Sequence, residues 1–278
     1  MLNVAAAGAP AAQSPSGVTP VAPTESTAAR PQGIEDDDAV LNPAVPDVVV
    51  VNLPTGMPMP RFKGNFRLTH RFAGNLRRGG FGNQLGNLFG LDQGAIIGFE
   101  YRVALIRHVQ AAFYRSSFNK TIQLHGAYEA LRQRRAGPVS VSALVSIEGA
   151  NNFRDNYAPA VGLVVSRTVG TRGAAYFTPI WADNTAASLN VDRSTTFVGI
   201  GGRVRVRGSV YLAAEVAPRV AGYTPDRAAY GISIEKRAGG HMFSLTFTNS
   251  FGTTFAQVAR GGAANTLYLG FNLGRKFF

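Results

Sequence analysis

The side chains best able to do chemistry in this sequence are its arginines and lysines, and their spacing is what needs explaining. Arg61, Lys63, Arg67 and Arg71 occupy odd positions, while Phe62, Phe66, Leu68, His70 and Phe72 occupy even ones. Arg203 and Arg205 repeat the pattern against Val204 and Val206, and Arg115 lies in a weaker stretch near 108–117. A guanidinium presents a fixed fork of donors suited to carboxylate and phosphate, and basic side chains lining a pore favour anions. Five glutamates, Glu100, Glu129, Glu148, Glu215 and Glu235, fall on the same polar alternation. The competing reading is therefore a salt-bridge network that fills the interior, and both readings stand at this point.

Other chemistries find little support. The chain has no Cys, which excludes disulfides, thiolate metal sites and Cys nucleophiles. Its four His fall on separate segments without HExxH spacing. His125, near Glu129, reads as a hydrogen-bonded interior residue rather than a ligand. A Ser–His–Asn hydrolase of the outer-membrane phospholipase kind needs nucleophile and base in hydrogen-bond reach. His70, on the outward parity near the outer end of the first strand, is the only candidate, and no Ser and Asn partner it identifiably. The glycines of RRGGFGNQLGNLFG (77–90) neither follow a strand nor open a helix as GxGxxG. The 73–94 loop reads as a flexible surface loop or as one folding inward as a constriction. We expect no enzyme, cofactor or metal.

The elements that place these residues are strands, because the alternation has period two and alternate strand residues point to opposite faces. Ile97, Phe99, Tyr101 and Val103 alternate with Gly98, Glu100 and Arg102. The segments 122–130, 139–148, 198–206, 243–248 and 266–273 do the same. Weaker strands near 108–117, 158–168, 173–180, 209–218 and 229–236 bring the count to twelve, and the even number suits a single-chain outer-membrane barrel. No apolar run approaches the ~20 residues of a membrane-spanning helix.

A soluble sandwich or lipocalin also alternates, with its apolar face inward. Here the loops decide. Connections near 73–94, 118–119, 149–157, 181–194, 219–228 and 250–263 alternate with ones near 104–107, 133–138, 169–171, 207–208 and 237–240; most of the first set are long and all of the second are short. That asymmetry is the outer-membrane signature, with both termini periplasmic. After residue 60 every Asp lies in or beside a long loop, and every Glu lies within a strand opposite the apolar residues. A lipid-facing Arg or Lys at mid-membrane costs ~2–4 kcal/mol, so the charged face must be the lumen. The fold class expected is an all-β, twelve-stranded antiparallel transmembrane β-barrel.

The 278 residues divide by composition. Residues 1–45 are rich in Ala, Pro, Ser and Thr and read as a disordered tether. Residues 46–60 are a lead-in, and 61–278 the barrel. MLNVAAAGAP lacks the basic and apolar regions of a secretory leader, so the chain reads as a mature or trimmed form. From Arg61 on, 27 bases face 10 acids. At the short-turn side Arg132, Arg134, Arg135, Arg172, Lys236 and Arg237 gather with Arg107, Arg207, Arg275 and Lys276. They form either a solvated rim at lipid headgroups or a docking surface for an acidic periplasmic partner. Nucleic acid is not expected, because the basic stripes sit inside a barrel or at a membrane edge.

The last strand, TLYLGFNLGRKFF, is similar to the C-terminal insertion signal read by the outer-membrane insertion machinery, with Leu269, Phe271, Leu273 and Phe277 in step and Phe278 one residue beyond. The runs 52–74, 87–101 and 113–133 also resemble a family of bacterial outer-membrane β-barrels known only as a domain of unknown function. The shared features are His70-Arg71-Phe72, Leu-Asp-x-Gly from Leu91 to Gly94, and Arg115-Ser116 before Lys120-Thr121. The resemblance covers residues 50–150 and departs at RVALIR (102–107), where a polar turn is expected. It implies fold and compartment and supplies no catalytic residue.

Twelve strands ~4.8 Å apart and tilted ~40° give a backbone diameter of roughly 24 Å, leaving on the order of 10 Å between side chains. The expected function is a narrow anion-preferring channel for small solutes. The alternative is a closed structural barrel anchoring a periplasmic or surface assembly through residues 1–60 and the basic rim.

Overall fold

The computed structural model describes residues 41–133, 137–186, 189 and 193–278. The alternating segments form twelve antiparallel strands: β1 (Gly64–Asn75), β2 (Ala95–Ile106), β3 (Val109–Ser116), β4 (Ile122–Leu131), β5 (Ser140–Gly149), β6 (Asp155–Val169), β7 (Gly173–Ala182), β8 (Thr195–Arg207), β9 (Val210–Ala217), β10 (Ala229–Ala238), β11 (His241–Thr248) and β12 (Tyr268–Lys276). Past Pro218, Arg219–Gly222 continues β9 along the start of β8. Each strand pairs with the next, and β1 pairs with β12 through Phe66↔Arg275, Leu68↔Leu273 and His70↔Phe271. Closure removes the edge strands that would otherwise expose unpaired backbone groups.

The two faces separate as the residue types demand. Phe99, Tyr101, Phe113, Leu124, Val145, Val161, Phe177, Ile200, Ile234 and Leu245 are exposed on the outside. Asn65, Arg67, Thr69, Arg71, Glu100, Arg102, Gln123, Glu148, Arg203 and Glu235 are buried inside. An apolar belt around a polar interior is the inverse of a soluble barrel, and it suits lipid.

Short turns close one end. Gly208 and Gly239 take positive φ there (+49° and +58°), a region that costs a side chain strain. RVALIR belongs to β2, and the connection to β3 is only Arg107–His108, so no longer polar turn is needed. At the other end, the connection after β1 carries a short helix, α1 (Phe81–Gly86), and a 3₁₀ segment (Leu88–Gln93). Phe81, Leu85 and Leu88 are exposed, so this loop lies at the surface and does not constrict the lumen. The connection after β11 does, through a second short helix, α2 (Phe255–Ala259), whose five residues are all buried.

Two apolar clusters occupy the interior, and both contain chain that is not barrel wall. One includes Leu53, Phe255, Ala256, Val258 and Ala259 beside wall residues such as Leu144, Ile180 and Phe197. The other includes Val45, Val48 to Val51, Met57 and Met59 beside Tyr176 and Ala213. Residues 1–40 of the expected tether lie outside the described residues.

Candidate functional site

Cross-strand register builds the charged wall. Arg67 and Glu100 are directly opposed on β1 and β2, with Nη2 2.9 Å from Oε2. Arg102, two residues along on the same face, donates to the other carboxylate oxygen at 3.0 Å. Across the barrel, Arg203 donates from Nε to Glu235 Oε2 (2.6 Å) and from Nη2 to Oε1 (3.0 Å). Such forked, charge-assisted pairs are the strong ones. At the short-turn mouth Glu129 accepts from Arg132 at 2.7 Å and lies 3.0 Å from His108 Nδ1.

The remaining two lumenal glutamates bind chain segments instead of arginines. Residues 46–59 enter the lumen from the short-turn end, turn, and return before β1. The turn is narrow: Val50 N–H donates to Leu53 C=O (2.8 Å) and Thr55 N–H to Val48 C=O (3.0 Å). Glu215 on β9 accepts three consecutive tip amides, from Val51 (2.9 Å), Asn52 (2.9 and 3.0 Å) and Leu53 (3.0 Å). Successive N–H groups converging on one anion form a nest. Arg203 Nη2 donates to the carbonyls of Val49 (2.7 Å) and Val50 (3.2 Å). Arg71 donates to Asn52 Oδ1 (3.1 Å) and to Asn272 Oδ1 (2.8 Å), and Asn272 donates to Val51 C=O (3.3 Å). Lower down, Gln110 holds Met57 C=O (2.8 Å) and Lys276 Nζ donates to Pro46 C=O.

From the long-loop end, residues 250–261 form a second stopper. Glu148 accepts the Ala256 N–H (3.3 Å), Gln257 donates to Thr121 Oγ1 (3.0 Å), and Tyr114 Oη lies 2.6 Å from Thr253 Oγ1. Phe255 sits against the His125 ring at 5.6 Å, and Arg260 donates to Thr185 C=O. Clefts remain at both ends: one of about 330 Å³ at the long-loop mouth, beside Tyr223, Phe251 and Tyr268, and one of about 170 Å³ at the other end, beside Leu41, Thr55 and Arg132.

Several expected positions differ. Arg61 and Lys63 are exposed ahead of β1, because the strand starts at Gly64; Arg61 stacks on Phe62. Arg115 lies on the outward parity of β3, since Tyr114 and Ser116 take the inward one, and it donates to Asn152 Oδ1. Neither the first two nor Arg115 lines the lumen. Arg205 has inward parity but lies half-buried at the short-turn mouth. Glu100, Glu129, Glu148, Glu215 and Glu235 all point inward and are buried. Arg172 and Lys236 are exposed and Arg132 and Arg237 half-buried at the short-turn rim, while Arg134 and Arg135 lie outside the described residues. Leu269, Phe271, Leu273 and Phe277 share the outer face of the last strand. Phe278 turns the other way and packs against the cluster of Val48 to Val51 and Met57.

The stoppers themselves, with Arg102, Asn52, Asn272 and Gln257, were not singled out by sequence. The available signal was VVVVNLPTGMPMP, a turn-bearing apolar run too polar-flanked and proline-rich to be a strand of the wall. It pairs with lumen-facing glycines at 199, 201 and 231.

The family described as "Membrane bound beta barrel domain (DUF5777)" matches residues 48–277. Among solved structures, an outer membrane channel from Pseudomonas putida F1 is 13% identical, with a TM-score of 0.51 over 79% of this chain and 97% of that one. The NanC porin is 6% identical, with a TM-score of 0.48 over 77% and 99%. Among curated proteins, none matches.

Proposed function

The chain belongs to the DUF5777 family of membrane-bound β-barrels, and we propose that within it this molecule is an outer-membrane channel for small solutes, closed at rest by two stoppers in series. In this orientation the short-turn end, with residues 41–60 and the C-terminus, is periplasmic, and residues 250–261 face outward. The observation that carries the reading is that the lumen is filled by two chain segments, hydrogen-bonded to a polar wall, rather than by wall side chains meeting at the axis. A permanently solid barrel would gain more from interdigitated apolar wall residues, since burying charge is costly unless each group is paired.

Anion preference enters through spare guanidinium donors. Among the described residues, Arg67 Nε and Nη1, Arg71 Nε and Arg203 Nη1 are buried and have no hydrogen-bond partner. The wall glutamates largely offset the charge of these arginines, so the preference is modest.

The test is planar-bilayer conductance of four full-length forms: native, residues 48–54 changed to a Gly-Ser repeat, residues 252–261 shortened, and both changes together. The native form should be silent and the doubly changed form should give steady steps. A doubly changed barrel that is folded yet silent overturns the channel and favours a closed anchoring barrel, the reading that the present filling of the lumen also accommodates.

A further inference from the structure

Glu215 and Arg203 face the lumen on neighbouring strands, with Glu215 opposite Gly201 and Arg203 two residues further along β8. Between them they take three backbone N–H groups and two backbone carbonyls of the same short segment. The wall beside them is recessed by glycine. A Cβ at Gly199 would stand 2.7 Å from Leu53 Cδ1, at Gly201 3.3 Å from Val50 Cγ2, and at Gly231 2.8 Å from Val51 Cγ1. Each recess therefore holds one aliphatic side chain, which would have to shift to make room for a wall Cβ at Gly199 or Gly231.

This combination specifies its ligand. A simple anion would not be met by a central carboxylate, and a simple cation would not be met by Arg203. A sugar leaves three aliphatic recesses unexplained. A peptide has N–H donors, C=O acceptors and apolar side chains at the required intervals. We propose that the lumen wall around Glu215, Arg203, Asn272 and Gly199, Gly201 and Gly231 is a binding site for short apolar peptides, and that Val48–Thr55 occupies it as the chain's own stand-in. As the identity of what passes through, this rests on the channel reading; as a binding site it does not.

The experiment measures fluorescence anisotropy of a labelled peptide of sequence VVVVNLPT against the full-length chain with residues 48–54 changed to a Gly-Ser repeat, shown to be folded by heat-modifiable migration. Saturable binding, displaced by unlabelled peptide, is expected. The native chain should bind at least tenfold more weakly because its own hairpin competes. Adding Glu215→Ala to the Gly-Ser form should weaken binding at least tenfold, and a Gly-Ser peptide should not bind. No saturable binding, equal binding of both peptides, or no effect of Glu215→Ala overturns the proposal.

If the Gly-Ser form does not fold, Gly56→Cys with Val164→Cys serves instead, in a chain that has no other Cys. The Cβ positions are about 3.9 Å apart, within disulfide range, and lie outside the three recesses; a side chain at the positive φ of Gly56 (+66°) also loosens the hairpin when the pair is reduced. The oxidised form should exclude the peptide and the reduced form admit it; equal binding in both overturns the proposal. Peptide binding with a silent doubly changed barrel would leave the site standing without a channel. Conductance without binding would leave the channel and remove the peptide.

Discussion

Glu215 on the barrel wall holds Asn52 at the hairpin tip through both carboxylate oxygens, which lie 2.9 and 3.0 Å from the Asn52 amide nitrogen. The same carboxylate also takes the amides on either side, so one wall residue fixes three successive backbone units inside the lumen. Hydrogen bonds to a charged group contribute about 1.5–3 kcal/mol each. Glu215→Ala should therefore raise amide hydrogen exchange at Val51, Asn52 and Leu53 by at least tenfold while exchange in β1 and β12 stays as it is. Glu215→Gln, which keeps one acceptor oxygen, should fall between. Equal loss of protection throughout the wall would mean that Glu215 stabilises the barrel and not the hairpin.

Gly231 tests the hairpin from the other side. Val51 Cγ1 would lie 2.8 Å from a Cβ there, below any relaxed contact, while a β-branched residue suits the strand itself. Gly231→Val should expel the hairpin tip without unfolding the wall. Limited proteolysis should then cut within residues 46–63, much of which is buried in the native form, while the heat-modifiable barrel remains. An unchanged digestion pattern would show that the tip can re-seat.

The buried Arg67–Glu100–Arg102 group should respond unequally to single changes. Breaking a buried ion pair by removing one partner costs about 3–5 kcal/mol. Arg67→Met leaves Glu100 with Arg102 at 3.0 Å and should cost less than that. Glu100→Gln leaves two guanidiniums facing one another without an acid and should cost the full amount or more. Urea unfolding in micelles orders the two variants; a larger loss for Arg67→Met contradicts the arrangement.

The wall was legible in the sequence and its filling was not, for a physical reason. In a membrane barrel each strand residue has two choices, lipid or lumen, so alternation alone assigns Arg67, Glu100 and Glu235 to one side. Where a strand begins is set by its partner instead, and parity run back past Gly64 put Arg61 and Lys63 on a wall that has not yet started. At Arg115 it was the charge that misled: the residue shares the outward parity of Phe113, sits at the strand end and reaches loop polar groups instead of lipid. The hairpin carries no periodicity, and its side chains answer to glycines about 150–180 positions away in the chain. Only long-range packing shows that VVVVNLP and Gly199, Gly201 and Gly231 are one feature.

The C-terminus gives a prediction that separates insertion from closure. Phe277 continues the outward row of Leu269, Phe271 and Leu273, whereas Phe278 packs inward against the hairpin cluster. Removing Phe278 should leave assembly by the insertion machinery unimpaired while loosening residues 46–59, seen as faster exchange at Val48 to Val51. Phe277→Ser should do the reverse, slowing folding into vesicles that carry the machinery and leaving exchange in the hairpin unchanged once the barrel is assembled. If removal of Phe278 slows insertion as much as Phe277→Ser does, the machinery reads the terminal residue itself. The inward turn of Phe278 would then be a consequence of assembly and not part of the seal.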